Sequence, residues 1–165
     1  MTKQISNHAH AAKLIRAELK AHSITANVRA STASMTSSVN VTIYAQAPWV
    51  KAAVETFANK FQYGHFDGMT DMYEYSNTND DLPQVKFVFV NNEFDADDMQ
   101  RAFDFLRNNF AGYENFKGTY DDHANNSVNG NWVSTEVHQV LNGCMDSRIA
   151  GNLRFWVKPK VESFA

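Results

Sequence analysis

The chain has 165 residues, 44% of them hydrophobic and 13% aromatic, and this predicts a single domain, 1-165, around one core. No apolar run approaches the roughly 20 residues that span a bilayer, and the polar start lacks a signal peptide's apolar stretch, so we expect a cytoplasmic protein. The single cysteine, Cys144, excludes an internal disulfide and a cysteine-rich zinc module.

Charge is segregated along the chain, although the net charge is only −3. Residues 1–60 carry seven Lys or Arg and two Asp or Glu, whereas residues 61–165 carry eight and sixteen. The acids are densest between Asp67 and Asp104, where ten acids accompany two bases. A field of this sign attracts basic partners and repels a nucleic-acid backbone. Acids of this kind are also typical of ordinary solvated helix and loop faces.

Hydrophobic periodicity predicts both helices and strands in the first half. Apolar residues recur at helical spacing over 11–21 and again over 48–61, where Pro48 suits a first helical turn. Residues 25–31 and 38–45 alternate as strands, and the Ser/Thr-rich link between them predicts a hairpin. The loop 65–71 then leads into a short alternating strand over 72–75.

The second half, 77–165, is acidic and follows a similar mixed pattern. A strand is predicted over 85–90, followed by a helix that begins at its cap Asp95 and ends at Gly112. A long polar loop is predicted over 113–131. A second helix then begins at its cap Ser134 and ends at Gly143, and a strand over 153–157 follows.

This order of elements contains hairpins and lacks a regular β-α alternation. It predicts a two-layer α+β fold, in which three to four helices cover an antiparallel or mixed sheet of about five strands. The sequence contains no internal repeat and no domain linker.

The sequence contains none of the common catalytic motifs considered, so it does not indicate a particular reaction. No Walker-type glycine loop, His-Glu-x-x-His pair or Gly-x-Ser-x-Gly elbow occurs, so we expect no enzyme and assign no catalytic, cofactor-binding or metal residue. His65, Asp67 and Asp71 lie near one another in the sequence and leave a small metal-dependent enzyme as a third alternative. Loop histidines and aspartates of this kind are more often turn formers.

A second alternative is a nucleic-acid-associated accessory protein that uses the basic N-terminal half. The residues that would form such a patch are Lys13, Arg16, Lys20, Arg29 and Lys51, with Tyr44 and Trp49 nearby. The acids of the middle of the chain argue against this alternative.

Three segments, 28–31, 34–41 and 61–75, carry a family resemblance. The last includes Phe66-Asp67-Gly68-Met69-Thr70-Asp71, an ordered mixture that neither helix nor strand periodicity requires. Together with the first helix, these segments resemble the large polyvalent protein associated domains, specifically the twenty-ninth of the series, over residues 10–76. Such domains are usually found within very large proteins of bacteriophages and conjugative elements. The resemblance carries over no catalytic residue.

The resemblance implies a protein of a bacteriophage or another mobile genetic element, acting in a bacterial host cell. A short chain from such an element is by analogy a host defence inhibitor of the anti-CRISPR or anti-restriction type. Its partner would be a host protein or ribonucleoprotein complex with a basic surface. The residues expected to bind this partner are Phe66, Asp67, Met69, Asp71, Tyr73, Glu74, Asp97 and Asp98. The simpler alternative for the apolar members is core packing.

Overall fold

The structure is a computed structural model, and it describes residues 6–33, 36–144 and 155–156. The contacts divide the chain into two compact units, and the division falls between Glu93 and Phe94. Each unit has its own hydrophobic core. The expectation of one domain over 1-165 concerns cooperative folding, which contacts do not measure, and it stays a prediction.

Among its described residues, the first unit contains two helices and five strands. They are α1 (Asn7–Ala21), β1 (Ala26–Ala33), β2 (Thr36–Tyr44), α2 (Pro48–Ala58), β3 (His65–Asp67), β4 (Met72–Glu74) and β5 (Phe87–Glu93), with a 3₁₀ turn at Asn59–Phe61. Among the described residues, the helices and strands predicted for 11–21, 25–31, 38–45, 48–61, 72–75 and 85–90 are all present, with shifted ends.

A three-stranded mixed sheet in the order β1-β2-β5 forms the centre of this unit. β1 pairs antiparallel with β2, as the predicted hairpin requires, and β5 runs parallel to β2 after the chain has crossed over through α2. Val39, Val41 and Ile43 of β2 alternate into the core, where Ile15 of α1 and Val54 of α2 are also buried. Both helices therefore cover the same face of the sheet, as a two-layer fold requires.

The mixed α+β class is confirmed, but the strands within the described ranges lie in three small sheets and not in one sheet of about five strands. β4 pairs antiparallel with β3 in a separate hairpin, and β3 was expected to be loop. Gly68 and Asp71 in this segment indicate a turn, and His65 and Asp67 of β3 are residue types that are also typical of loops.

The second unit contains three helices and one short hairpin among its described residues. They are α3 (Ala96–Asn109), α4 (Tyr120–His123), β6 (Ser127–Val128), β7 (Asn131–Trp132) and α5 (Val133–Leu141). Phe103 and Leu106 of α3 pack with Val137 and Leu141 of α5 in its core. No helix within the described ranges of the chain has both the length and the apolar character to cross a membrane.

Three details of the second unit differ from the sequence predictions. The supposed loop 113–131 contains α4 and the β6–β7 hairpin and begins with Tyr113, which is fully buried. Ser134 is not the cap of α5, because the helix begins at Val133 and Trp132 holds the cap position. The predicted strand 153–157 lies outside the described residues except for Phe155 and Trp156, where the chain bends.

Candidate functional site

The β3–β4 hairpin carries six of the eight residues that the sequence predicted to bind a partner. The cross-strand pairs are His65 with Glu74, Phe66 with Tyr73, and Asp67 with Met72. The turn between the strands holds the other two hairpin residues of the prediction, Met69 and Asp71. We call residues 65–74 the acidic hairpin.

Asp67 organises the turn of the acidic hairpin. Its carboxylate accepts a 2.8 Å hydrogen bond from the Met69 N–H and a 2.9 Å hydrogen bond from the Thr70 hydroxyl. These bonds, the Met69 N–H first and the Thr70 hydroxyl second, hold the pKa of Asp67 below its usual range, because they favour the charged carboxylate. Asp71 follows with φ at 54°, a left-handed conformation that Asp tolerates better than most residues.

The pleat divides the acidic hairpin into two sides. Directly opposed residues point to the same side of a hairpin, and successive residues point to opposite sides. Phe66 and Tyr73 therefore share one side, whereas Asp67, Met72 and Glu74 share the other with His65. The predicted contact residues are thus close together but do not form one continuous face.

Large apolar side chains protrude beside these acids. Met69 is 95% exposed, Met72 is 62% exposed and Phe66 is 53% exposed. Within the described ranges no lysine or arginine forms an ion pair with Asp67, Asp71 or Glu74, and Glu74 instead lies 3.4 Å from His65. The negative charge of the hairpin is therefore not neutralised by the basic first helix.

The two predicted contact residues of the second unit differ from each other in exposure. Asp97 is exposed in the first turn of α3. Asp98 is buried, and its carboxylate accepts from the Asp95 N–H at 3.1 Å while the Asp95 carboxylate accepts from the Asp98 N–H at 2.9 Å. Asp98 also pairs with Arg101. This carboxylate is used inside α3 as half of a capping box.

A row of aromatic rings lies beside the hairpin and was not predicted as a unit. Tyr63 and Tyr75 are stacked with centroids 5.5 Å apart, and Tyr73 contacts both edge-on. The Tyr73 ring also meets Phe87 at 5.7 Å, and Phe87 stacks on Phe89 at 5.9 Å. We call these five residues the aromatic row.

The chemistry of Tyr73 reflects its central place in the aromatic row. Its hydroxyl donates a 2.6 Å hydrogen bond to the Lys86 carbonyl. Burial, followed by the neighbouring Tyr63 and Tyr75, raises the pKa of Tyr73 to about 12. The Lys86 ammonium lies 5.2 Å from the centre of the Tyr73 ring and 5.5 Å from that of Phe87.

Phe87 and Phe89 lie on the sheet face that α1 and α2 do not cover. Val88, between the two rings, and Val90, which follows Phe89, pack into the core, so alternation turns both rings to the opposite face. We call this the uncovered face. A polar cavity of about 260 Å³ lies on it, lined by Asn27, Arg29, Asn40, Thr42, Tyr44 and Glu93. The alternation over 85–90 was the signal in the sequence that could have identified this face.

The basic residues considered for nucleic acid are spread over several surfaces. Arg29 and Tyr44 belong to the uncovered face, whereas Lys13 and Lys20 lie on α1, which packs against the covered face. Arg16 donates a 2.6 Å hydrogen bond to the Val28 carbonyl, and Lys51 pairs with Glu55 within α2 at 2.5 Å. Trp49 is half-buried near the start of α2. The structure does not gather these side chains into one patch.

The acids and histidines of the hairpin do not gather as metal ligands. Among the residues that the structure describes, no group of three or more His, Cys, Asp or Glu side chains is arranged to hold a metal ion. His65 instead makes a 2.9 Å hydrogen bond with the Ser76 hydroxyl through Nδ1.

Comparison with known families identifies most of the first unit. The family model of large polyvalent protein associated domain 29 matches residues 6–101, a longer segment than the resemblance over 10–76. Comparisons with curated proteins and with solved structures gave no match. The family occurs in polyvalent proteins of phages and other mobile elements. The match covers more than half of the chain, which therefore belongs to the family of the large polyvalent protein associated domain 29.

Proposed function

We propose that this chain is a mobile-element accessory protein that binds and inhibits a host defence complex through the acidic hairpin. One observation carries this proposal. The hairpin presents Met69, Met72 and Phe66 to solvent beside three carboxylates that no lysine or arginine of the described chain neutralises. The proposed action is binding and not catalysis, and its place is the cytoplasm of the bacterial host.

The two kinds of side chain on the hairpin have different tasks in this proposal. Exposed methionine and phenylalanine side chains supply apolar area that a partner pocket desolvates, and such anchors dominate the lifetime of a complex. The carboxylates of Asp67, Asp71 and Glu74 accelerate encounter with a basic surface and select against acidic ones. A defence complex that binds nucleic acid has a basic surface of this kind, and the hairpin would compete with the nucleic acid for that surface.

Of the two α3 residues that the sequence predicted as contacts, only Asp97 is kept in this proposal. Asp97 is exposed and remains a proposed contact. The capping role of Asp98 makes it unsuitable as one, since its carboxylate is already paired with Arg101 and buried. Charge reversal at Asp98 would also disturb α3, so a variant that includes Asp98 would combine a loss of contact with a loss of fold.

Phage plating on defended bacteria tests the proposal. The protein is expressed in strains that carry a CRISPR effector or a restriction enzyme, and in a matched undefended strain. We expect expression to raise plating efficiency on at least one defended strain and to leave the undefended strain unchanged. The variant Asp67→Asn/Asp71→Asn/Glu74→Gln removes three charges and should lose this effect. The amide oxygen introduced at position 67 still accepts from the Met69 N–H, and the NH2 group there donates to the Thr70 hydroxyl in place of the lost acceptor. Asn also tolerates the left-handed conformation at position 71.

A second triple variant controls for the general loss of negative charge. Asp80, Asp81 and Asp121 are exposed and lie outside the acidic hairpin. Changing all three to Asn removes the same charge and should preserve the effect on plating. Equal plating with and without the protein on every defended strain would contradict the proposal, as would full activity of the hairpin variant.

A further inference from the structure

We propose that the aromatic row and the adjoining uncovered face bind single-stranded RNA. The row shares Tyr73 with the acidic hairpin, whereas Asp67 and Glu74 point to the other side of that hairpin. The proposal does not depend on the role of the acidic hairpin as a protein-binding surface. It rests on three features that the structure places side by side: stacked rings open to solvent, two cations, and uncommitted amide and hydroxyl groups.

The rings have the exposure that base stacking requires. Tyr75 at one end of the row is 67% exposed, and Phe89 at the other is 48% exposed. The rings between them are half-buried and touch their neighbours at centroid distances between 5.3 and 5.9 Å. Packing therefore fixes the row from within while its ends remain accessible. Bases stack on such rings without regard to sequence, because every base has a π-face.

Two cations lie next to the rings and could contact the phosphates of a bound strand. The Lys86 ammonium lies above the Tyr73 and Phe87 rings in the middle of the row. Arg29 projects from β1 on the uncovered face, opposite Asn40, and Asn40 is in turn opposite Phe89. Within the described ranges of the chain, neither Lys86 nor Arg29 forms an ion pair with a carboxylate. Glu93 at the far side of the cavity carries the opposing charge, and its repulsion would limit the path of the strand there.

The polar cavity beside Phe89 supplies the groups that favour RNA over DNA. Asn27, Asn40 and Thr42 line it, and none of these side chains bonds to another described residue. Amide and hydroxyl groups both donate and accept, as the ribose 2′-hydroxyl does. That hydroxyl is what allows a protein to distinguish RNA from DNA at a given site. A sheet face with exposed aromatic residues is also a known platform for single-stranded RNA.

A second cavity extends the row at its other end. It has a volume of about 360 Å³ and is lined by the stacked Tyr63 and Tyr75 together with Asn7, Thr78, Asn79, Asp80, Leu82 and Gln84. The Asp80 carboxylate would repel a phosphate, so this cavity suits a base and not the backbone of the strand. A ring-walled cavity with polar groups at its rim suits an unstacked base. The row therefore joins two cavities through a chain of ring contacts, and a strand of several nucleotides could follow it.

Fluorescence anisotropy with labelled oligonucleotides tests the proposal on the full chain. The probes are a single-stranded U-rich RNA, the DNA of the same sequence and length, and a duplex RNA. We expect the single-stranded RNA to bind most tightly. Phe89→Ala and Tyr75→Ala should each weaken its binding about tenfold, the effect typical of a lost stacking ring. Lys86→Gln should lower the slope of log affinity against log salt by about 0.7, as expected for one phosphate contact on a single strand.

Matched variants separate the row from general effects of charge and exposure. Trp132→Ala removes an exposed ring of the second unit, and Lys13→Gln removes an exposed cation of α1; both should leave RNA binding unchanged. Phe89→Leu and Tyr75→Leu retain apolar volume and replace the alanine variants if those unfold. The leucine variants should still bind the RNA about tenfold more weakly.

Several results would overturn the proposal. One is the absence of RNA binding at 50 mM salt, and another is binding that the Phe89, Tyr75 and Lys86 variants leave unchanged. Equal affinity for the DNA would refute the assignment to RNA. If oligonucleotides do not bind and Phe89→Ala abolishes the effect on phage plating, the row belongs to the protein-binding surface instead. If the Asp67→Asn/Asp71→Asn/Glu74→Gln variant loses plating activity but still binds RNA, the result supports the role of the acidic hairpin and leaves the RNA proposal standing.

Discussion

Gly64 lies so close to the Glu74 backbone that any side chain in its place forces the two segments apart. A Cβ atom built on Gly64 would lie 1.9 Å from the Glu74 carbonyl oxygen and 2.7 Å from the ring of Tyr73. The nearest atom belongs to the backbone, so a side-chain rotation cannot relieve the clash. This close approach fixes the entry to the acidic hairpin against its second strand and beside the aromatic row.

We predict that Gly64→Ala destabilises the first unit by about 1–3 kcal/mol, the usual cost of overpacking. The hairpin must move away from the Gly64 backbone, and Tyr73 moves with it. Gly68→Ala is the matched control, because a Cβ there meets nothing within 4 Å, and it should change stability by less than about 1 kcal/mol. Urea unfolding of the two variants measures the difference. Equal stability would show that the clash relaxes at no cost.

The turn of the acidic hairpin should weaken in acid. Because the pKa of Asp67 is lowered in the folded state, its stabilising contribution is complete above the carboxyl's unfolded pKa and is lost as pH falls through the lower, folded pKa. Thr70→Ala removes one of the hydrogen bonds to this carboxylate and should raise the pKa of Asp67 towards its usual value. An NMR titration of the Asp67 carboxyl measures both effects. A pKa unaffected by Thr70→Ala would contradict the assigned cause.

The start of α3 depends on the reciprocal hydrogen bonds of Asp95 and Asp98. We expect Asp95→Ala to destabilise the protein by about 0.5–2 kcal/mol, as for other lost caps. Asp97→Ala lies in the same turn but caps nothing, and it loses only a screened interaction with the helix dipole, about 0.3–1 kcal/mol. Thermal unfolding followed by far-UV circular dichroism distinguishes the two. A larger loss for Asp97→Ala would refute the capping role.

The buried Tyr113 hydroxyl donates to Glu136 in the core of the second unit. Tyr113→Phe removes a donor from a carboxylate that is itself buried, so we predict a loss of about 1–3 kcal/mol. Tyr120→Phe is a suitable comparison, since the Tyr120 hydroxyl forms no hydrogen bond with any described residue. Its effect on the midpoint of chemical unfolding should be smaller. Equal effects would show that the Tyr113–Glu136 bond contributes little.

The sequence predicts elements well where a long segment repeats one pattern. Met99, Phe103 and Leu106 mark α3 at helical spacing, and Asp95 was correctly identified as its cap. The alternation of Val39, Val41 and Ile43 likewise marks β2 and its buried side. In both cases burial of one face against a core imposes the periodicity, so the pattern is visible in the residues alone.

Short elements leave no such pattern because single hydrogen bonds hold them. α4 has four residues and depends on the bonds between Thr119 and Asp122, which bring the Asp122 carboxylate to the Thr119 N–H at 2.8 Å. β3 has three residues and depends on pairing with β4. Their residues are typical of turns, and sequence reasoning accordingly predicted loop at both places.

The candidate surfaces were predictable only in part. Phe66 and Met69 are exposed, and their role as contact residues stays a prediction. Asp98 is buried because its carboxylate forms the second half of the capping box with Asp95, which the sequence analysis did not predict. The aromatic row joins Tyr63, Tyr73 and Phe87, which are far apart in the sequence and meet only when the hairpin folds beside β5. Long-range contacts of this kind have no local signature in the sequence.

The most direct test of the acidic hairpin is the affinity of the purified protein for the defence complex that plating identifies, measured by biolayer interferometry at two salt concentrations. The Asp67→Asn/Asp71→Asn/Glu74→Gln variant should bind at least about tenfold more weakly, with most of the loss in the association rate and a shallower dependence on salt. Equal affinities and equal salt dependences for the variant and the unaltered protein would contradict the proposal.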